Sequence, residues 1–395
     1  MRYANDTINK LLDDKKITQN EYNILFSIEE KHSRNFTEQD FFNKTLQKII
    51  ELQKADWILD LSYIKFPKFN FKYFSRNEEQ ILSFNDAEFF SLTEFAGLDF
   101  KNDVNFIGTK FYNDVSFAMS TFSKRAYFLS NLFYANISFR GAESKNIFHF
   151  TNNIFTKIDL VGSYFSNIDI HNLLAFNDNK ALTTLSKKNF KNMESAQLLK
   201  MYLEKQNIIP EANKYFQIEQ ELYLDKLKDK ESLEPNKSAT KFVLYLNKFV
   251  SNFGTDWIRP LLVMFIFSFL ASFFYILFSS KLILFIFKNS LIEEKDILLW
   301  IAGGFGVSIL IYLSYHYKEW RLLILSVLGY IGLIIFSQDF RLITNDISKL
   351  INPLNIFKSK DYFEHIAPYG MFVKLIMATL IYQFIMAFRQ NTRRK

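Results

Sequence analysis

The side chains able to do acid–base or metal chemistry are few and scattered in this sequence. No two histidines lie three or four residues apart, the spacing that puts two metal ligands on one helix face. Cysteine is absent, which excludes disulfides, thiol nucleophiles and thiolate metal sites. No nucleophile-elbow motif and no glycine-rich phosphate loop occurs. We therefore expect no catalytic residue, metal site or cofactor, and a protein that is not an enzyme. The histidines are His32, His149, His171, His316 and His365.

A second candidate for chemistry is a glycine cluster inside an apolar segment. It comprises Ala302, Gly303, Gly304 and Gly306. A potassium-selective filter needs backbone carbonyls in an extended loop after a pore helix. Here apolar residues flank the glycines on both sides and no threonine precedes them. Small residues at this spacing are more typical of close packing between membrane helices, which is the role we predict.

The element that must position everything else is a ladder of phenylalanines whose spacing alternates between five and six residues. This spacing fits neither a helix nor a continuously alternating strand, and it predicts short flat faces. Faces this short bury their rings only by stacking coil on coil, with roughly 22 residues per coil. We predict a packed structural core and no ligand site. The ladder residues are Phe84, Phe89, Phe95, Phe100, Phe106, Phe111, Phe117, Phe122, Phe128, Phe133, Phe139, Phe150 and Phe155.

One position of the ladder is interrupted. Ser144 stands where a phenylalanine is due, which predicts a thinner core or a bulge at Glu143–Asn146. Beyond the ladder, a looser apolar series adds one more coil to the three or four that the phenylalanines supply. On an alternating face, His149 between two phenylalanines should point outward. The looser series is Leu160, Phe165, Ile170 and Phe176.

The stretches Asp103–Phe106 and Asp114–Phe117 resemble the Phe-centred repeats of bacterial pentapeptide-repeat proteins. That resemblance implies a β-solenoid, wound as a right-handed quadrilateral β-helix. Some proteins of this family imitate DNA with an acidic rod. The charges between Phe84 and Ile170 nearly balance here, so neither DNA mimicry nor nucleic-acid binding is expected.

Helical patterns flank the solenoid on both sides. We predict an N-terminal helical cap over 1–56, the solenoid over 57–178, and a helical hairpin with a linker helix over 179–257. The linker helix, which starts near Ser238, carries an apolar stripe. Two roles are open for this stripe: it could pack on the solenoid, or it could lie on a membrane surface.

The positive charge of the chain is confined to its last third. Residues 1–257 carry 33 Lys and Arg against 33 Asp and Glu, whereas 258–395 carry 15 against 8. Positive charge around apolar segments is typical of membrane topology, and it removes the main support for nucleic-acid binding. Residues 258–395 are accordingly predicted to form an all-α transmembrane domain of about four helices. The predicted spans are 261–278, 297–315, 322–337 and 371–388.

The third span is short, and a buried or re-entrant hairpin is its alternative. No span has an ionisable residue near its centre. Lys374 lies near a span end, from which it can reach the interface, so the sequence disfavours a transporter. With no signal sequence visible, we expect the N-terminal domain to be cytoplasmic, and four spans return the C-terminus to the same side.

The order of these parts, with the motifs Phe253–Leu261 and Tyr382–Arg389, resembles multi-pass bacterial membrane proteins that carry an N-terminal pentapeptide-repeat domain. The resemblance implies a location in the bacterial inner membrane. Our hypothesis is a non-enzymatic scaffold or protein-interaction module held at the lipid bilayer, with an unidentified protein partner and association of copies through the membrane helices. The alternative is an oligomeric ion channel or transporter with a regulatory solenoid.

Overall fold

The computed structural model of the chain describes residues 5–26, 36–68, 80–176, 182–228, 236–278 and 367–392. The chain divides into two compact units, Met1–Ser232 and Leu233–Lys395. The helices of the first unit are α1 (Asp6–Asp13), α2 (Gln19–Phe26), α3 (Phe36–Leu52), α4 (Met193–Lys205) and α5 (Ile209–Lys226). Those of the second are α6 (Lys237–Ser251), α7 (Ile258–Phe278) and α8 (Ala367–Thr392).

Between α3 and α4 the first unit consists of short strands. They are β1 (Ile58–Asp60), β2 (Lys65–Phe66), β3 (Ile81–Ser83), β4 (Glu88–Phe89), β5 (Thr93–Glu94), β6 (Asp99–Phe100), β7 (Val104–Ile107), β8 (Lys110–Phe111), β9 (Val115–Ser116), β10 (Thr121–Phe122), β11 (Ala126–Leu129), β12 (Leu132–Ser138), β13 (Glu143–Thr151), β14 (Ile154–Asp159), β15 (Tyr164–His171), β16 (Leu174–Phe176) and β17 (Leu182–Thr183).

These strands form a β-solenoid of about five turns, which confirms the predicted stacking of coils. Strands of successive coils pair in parallel, as in β3–β7–β11–β13 and β2–β4–β8–β12–β14. The register places Phe106 beside Phe128 and Phe111 beside Phe133, an offset of 22 residues. Within the solenoid, β16–β17 is the antiparallel pair among the strands that the structure describes.

Each face of the solenoid contributes one column of stacked rings. On one face Phe84, Phe106 and Phe128 stack with centroids 5.0 and 4.9 Å apart. On another, Phe95 stacks on Phe117 at 4.8 Å. Rings of adjacent columns meet edge to face, for example Phe117 and Phe128 at 5.1 Å. Offset-stacked and edge-to-face pairs are the favoured aromatic geometries, so the core is held by ring contacts in two directions.

Tight corners separate the faces, and two corner columns need a left-handed backbone. Gly97, Gly141 and Gly162 fill three positions of one such column, with φ between 65° and 69°. Met119 occupies the remaining described position of that column at φ 56°. Glycine adopts this conformation freely, whereas a side chain at Cβ is strained there. Glycine therefore recurs at this corner, and Met119 is the position of the column where the fold accepts the strain of a left-handed side chain.

The interruption at Ser144 is a register shift. In the pairing of β13 with β15, Ser144 lies beside Phe165, but Ile147 lies beside Asn167, so one extra residue is inserted. The predicted bulge is thereby confirmed. Phe148 takes the inward place beyond the bulge, with its ring 5.4 Å from Phe122 and 4.5 Å from Phe165. The core is continuous across the interruption because a neighbouring residue supplies the missing ring.

Helices cover the first coil. Asn5 caps α1 and also donates its Nδ2 hydrogen to the carbonyl of Ser62, at 2.7 Å. Gln53 at the end of α3 bonds the backbone of Asp60 in both directions, at 3.2 and 2.8 Å. The apolar side chains of α1 to α3 belong to the same buried core as the ladder. These contacts shield the open end of the stack from solvent, as an end cap must.

Of the four spans that the sequence predicts, the structure supports one as a candidate within the residues of the second unit that it describes. Among the described residues, Met371–Arg389 of α8 is long and apolar enough to cross a membrane, with a mean hydropathy of 1.9. The Ile258–Ser268 part of α7 is apolar but shorter. The predicted spans 297–315 and 322–337 lie outside the described residues. A multi-pass topology therefore stays a prediction.

Candidate functional site

All thirteen ladder phenylalanines face the interior of the solenoid, and none is more than 4% exposed. Their rings contact one another in stacked and edge-to-face pairs. The glycine cluster Ala302, Gly303, Gly304 and Gly306 lies outside the described residues, so its role in helix packing stays a prediction. Among the residues that the structure describes, no three His, Asp or Glu side chains are grouped to hold a metal ion.

A buried polar ladder runs beside the rings at one corner. Asn131 accepts a hydrogen bond from the N–H of Thr109 at 2.8 Å, and Asn153 accepts one from the N–H of Asn131 at 2.9 Å. Each amide also donates to a carbonyl of the preceding coil, Asn131 to Phe106 and Asn153 to Phe128, both at 2.8 Å. Both asparagines are fully buried. Our reading of the sequence missed them, although their spacing of 22 residues equals the coil repeat.

The outer surface of the solenoid brings together two histidines, His149 and His171, that are 22 residues apart in the sequence. Nδ1 of His149 lies 3.1 Å from one carboxylate oxygen of Asp169, and Nδ1 of His171 lies 3.2 Å from the other. Tyr127 stacks on His149 with its centroid at 4.9 Å. A carboxylate only accepts, so both rings carry their proton on Nδ1 and turn Nε2 away from it. His149 points outward as predicted, but the pairing with Asp169 was not foreseen.

The side of the solenoid formed by β5, β9, β12 and β14 carries a cleft of about 310 Å³. Leu92 lines one edge, and it is 53% exposed. Asp114, Lys157 and Lys191 contribute charges of both signs to the lining. The histidine pair does not line this cleft, so its imidazoles do not act on a molecule bound there. The cleft offers apolar, cationic and anionic contacts together.

Asp159, which also lines the cleft, joins the last coils to the helices that follow. Its carboxylate accepts from Arg140 at 3.0 and 3.1 Å and from Nδ2 of Asn192 at 3.0 Å. Asn192 caps α4, and Ser195 in the first turn accepts from the N–H of Leu160 at 2.8 Å. These bonds fix α4 on the end of the stack.

The pKa of the Asp159 carboxyl is set by its burial and by these hydrogen-bond partners. Burial favours its neutral form, but the hydrogen bonds from Asn192, the backbone N–H of Val161 and Arg140 outweigh burial and lower its pKa below the usual aspartate value. Lys191 adds a further cation at 3.6 Å. Asp159 is therefore ionised at neutral pH and serves as a buried structural anchor.

In the second unit, the motif Phe253–Leu261 forms the connection between α6 and α7. The chain turns through Asn252, Phe253 and Gly254, all with positive φ. Asp256 then caps α7 by accepting from the N–H groups of Ile258 and Arg259, at 3.0 and 3.3 Å. The motif that suggested a family resemblance thus has a mechanical role, a tight helix–turn–helix joint.

Lys374 lies in the first turn of the membrane-length segment of α8. It is 3% exposed, so it is buried inside the second unit, and its reach to a membrane interface stays a prediction. An ionisable residue buried in such a segment is the one feature of the described helices that resembles an ion or proton path.

No family model and no curated protein matches this sequence.

Proposed function

We propose that this protein is a membrane-anchored, non-enzymatic scaffold that presents its β-solenoid to a protein partner. The observation that carries the proposal is the presence, in one chain, of an end-capped solenoid and a helix long and apolar enough to cross a membrane. Caps at both ends leave the long sides of the stack as binding surface. The rigid ring core supports binding without a large ordering cost.

The cleft beside β5, β9, β12 and β14 is the partner surface that we propose. It combines the exposed Leu92 with Lys157 and Lys191 on a face whose backbone is fixed by the parallel ladders. A rigid apolar anchor point rimmed by charges is the usual anatomy of a protein interface. The proposed location is the bacterial inner membrane, with the solenoid on the cytoplasmic side.

The test uses the full-length protein, extracted from membranes in a mild detergent and probed for captured proteins by cross-linking and mass spectrometry. Leu92→Arg should reduce the captured partner at least about tenfold, because it places a charge at the apolar anchor. Tyr164→Arg is the matched control, since Tyr164 is 61% exposed and does not line the cleft. Equal capture by both variants, or a turnover activity lost on mutating the surface, would refute the proposal.

The alternative function, an ion channel or transporter, is favoured by the burial of Lys374. Ion flux through reconstituted protein that is lost in Lys374→Met would support it. Gly304→Leu is a second test variant, because the glycine cluster is predicted to pack the membrane helices from which a channel would be built. Loss of ion flux in this variant would also support the channel. Vesicles that stay silent with the unaltered protein would favour the scaffold.

A further inference from the structure

Helix α6 has three distinct sides. Leu244, Val250 and Ser251 are buried against the rest of the second unit. The opposite side exposes large apolar residues, of which Phe242 is 68% and Phe249 69% exposed. The others on this side are Tyr245 at 49% and Leu246 at 41%. The spacing of residues 242, 245, 246 and 249 puts them on one helical stripe.

The charges of α6 are all positive. The helix contains Lys237, Lys241 and Lys248 and no acidic residue. At 100° per residue, the three lysines fall together on one flank of the exposed apolar stripe. An exposed apolar stripe bordered by lysines is the pattern of helices that lie in the headgroup region of an anionic bilayer. Four large apolar side chains exposed along one stripe form a patch of the kind that marks an interaction site, and the lysines beside it favour an anionic lipid surface.

The contacts of α6 place it near one end of the membrane-length segment. Asn247 accepts a hydrogen bond from Nε2 of Gln383 on α8 at 3.1 Å. Gln383 precedes Arg389, the end of that segment, by six residues, which is about 9 Å along a helix. At the same end the ring of Trp257 lies 5.9 Å from Phe388. Tryptophan and arginine are typical of the membrane–water interface, so α6 lies at headgroup depth if α8 spans.

We propose that α6 is an interfacial helix whose Phe242–Phe249 stripe inserts at the acyl boundary of an anionic bilayer while its three lysines bind lipid phosphates. The proposal rests on the proposed membrane anchoring by α8. It goes further, because it assigns a lipid-binding site and a preference for lipid charge to a helix that does not span. The solenoid, which precedes this helix in the chain, would then be tethered through an element that senses lipid composition.

The absence of cysteine allows a direct test in the full chain. Single-cysteine variants Phe242→Cys and Phe249→Cys are labelled with an environment-sensitive fluorophore and reconstituted into vesicles of phosphatidylcholine with or without phosphatidylglycerol. Lipids carrying a quencher near the headgroup then report depth. Leu375→Cys on α8 reports insertion of the span, and Met201→Cys on α4 is the exposed control in the first unit.

We expect quenching at 242 and 249 to exceed that at 201 several-fold in anionic vesicles. Changing Lys237, Lys241 and Lys248 together to Gln should reduce it to the level seen without phosphatidylglycerol. Quenching at 375 without quenching at 249 would overturn this inference and leave the anchoring intact, whereas no quenching at 375 would overturn the anchoring. Disulfide-linked dimers of Phe249→Cys would show that a second copy covers the stripe, and would also overturn the inference.

Discussion

The substitution of Ser144 by Phe gives opposite predictions from the ladder pattern and from the structure. The ladder alone implies that Ser144→Phe completes the core and stabilises it. In the structure Ser144 is fully buried, and the ring of Phe148 already lies between Phe122 and Phe165. A second ring has no room, so we expect a loss of about 1–3 kcal/mol in the free energy of unfolding from overpacking.

Removing the substitute ring provides the other half of a double-mutant cycle. Phe148→Ala leaves a cavity and should cost about 3–5 kcal/mol. The double variant moves the ring from 148 back to 144, and its remaining cost is mainly the lost hydrogen bond from Ser144 Oγ to the carbonyl of Asn146, worth about 1 kcal/mol. The two changes should therefore compensate each other by at least about 3 kcal/mol.

Amide hydrogen exchange of peptides covering β13, measured on the full chain, gives the local unfolding free energy for each variant. The control is Phe117→Ala, which removes a ring from an uninterrupted column and should be as costly as Phe148→Ala. Additive effects of the two changes at 144 and 148, or a stabilising Ser144→Phe, would refute the claim that Phe148 fills the interrupted position.

Three further outcomes follow from the first unit. Asn131→Ala leaves the buried N–H of Thr109 without its acceptor and the carbonyl of Phe106 without its donor. Protection from hydrogen exchange at that corner should therefore fall by about 2–6 kcal/mol. Unchanged protection would mean that water replaces the amide. Because the folded-state pKa of Asp159 is lowered, its contribution to stability is fully present above the ordinary aspartate pKa of about 3.9 and is lost as the pH falls below that value, through the lowered folded-state pKa. Acid titration should therefore release α4 from the solenoid, with less pH dependence in Asp159→Asn, and an identical titration in that variant would contradict the assignment. Gly97→Ala meets no atom within 4 Å, so its cost should be only the backbone strain at φ 69°, about 1–2 kcal/mol by thermal unfolding, and a neutral effect would show that this corner relaxes.

The repeat was predictable because one residue type, phenylalanine, recurs at a nearly constant spacing. Phe106 and Phe128 occupy equivalent places in successive coils, so a coil of 22 residues follows from the sequence once stacking is assumed. The bulge was predictable for the same reason, since Ser144 breaks the pattern. Phe148 pairs in unshifted register with Ala126, a position that the alternating pattern already turns inward, and what the pattern could not show was that its ring would contact both Phe122 and Phe165.

The polar features were less predictable because their partners come from different coils. In the sequence, Asn131 and Asn153 look like ordinary turn residues. Only the stacking of coils 22 residues apart places them next to each other, where they form a hydrogen bond. His149 and His171 are also 22 residues apart, but the shortened last coil places His149 beside Asp169. In residues 258–395, the apolar segments suggested four spans from their length alone. Among the described residues, only the Met371–Arg389 segment of α8 has the helix length and the apolar composition needed to cross a membrane.

The most direct test of the proposed membrane anchoring is alkaline carbonate extraction of membranes that contain the full-length protein. If α8 spans the bilayer, the protein stays in the membrane fraction. Leu380→Arg, near the middle of the Met371–Arg389 segment, should increase the released fraction, because a central arginine costs about 2.5–3.5 kcal/mol on insertion. Quantitative release of the unaltered protein by carbonate would contradict the account.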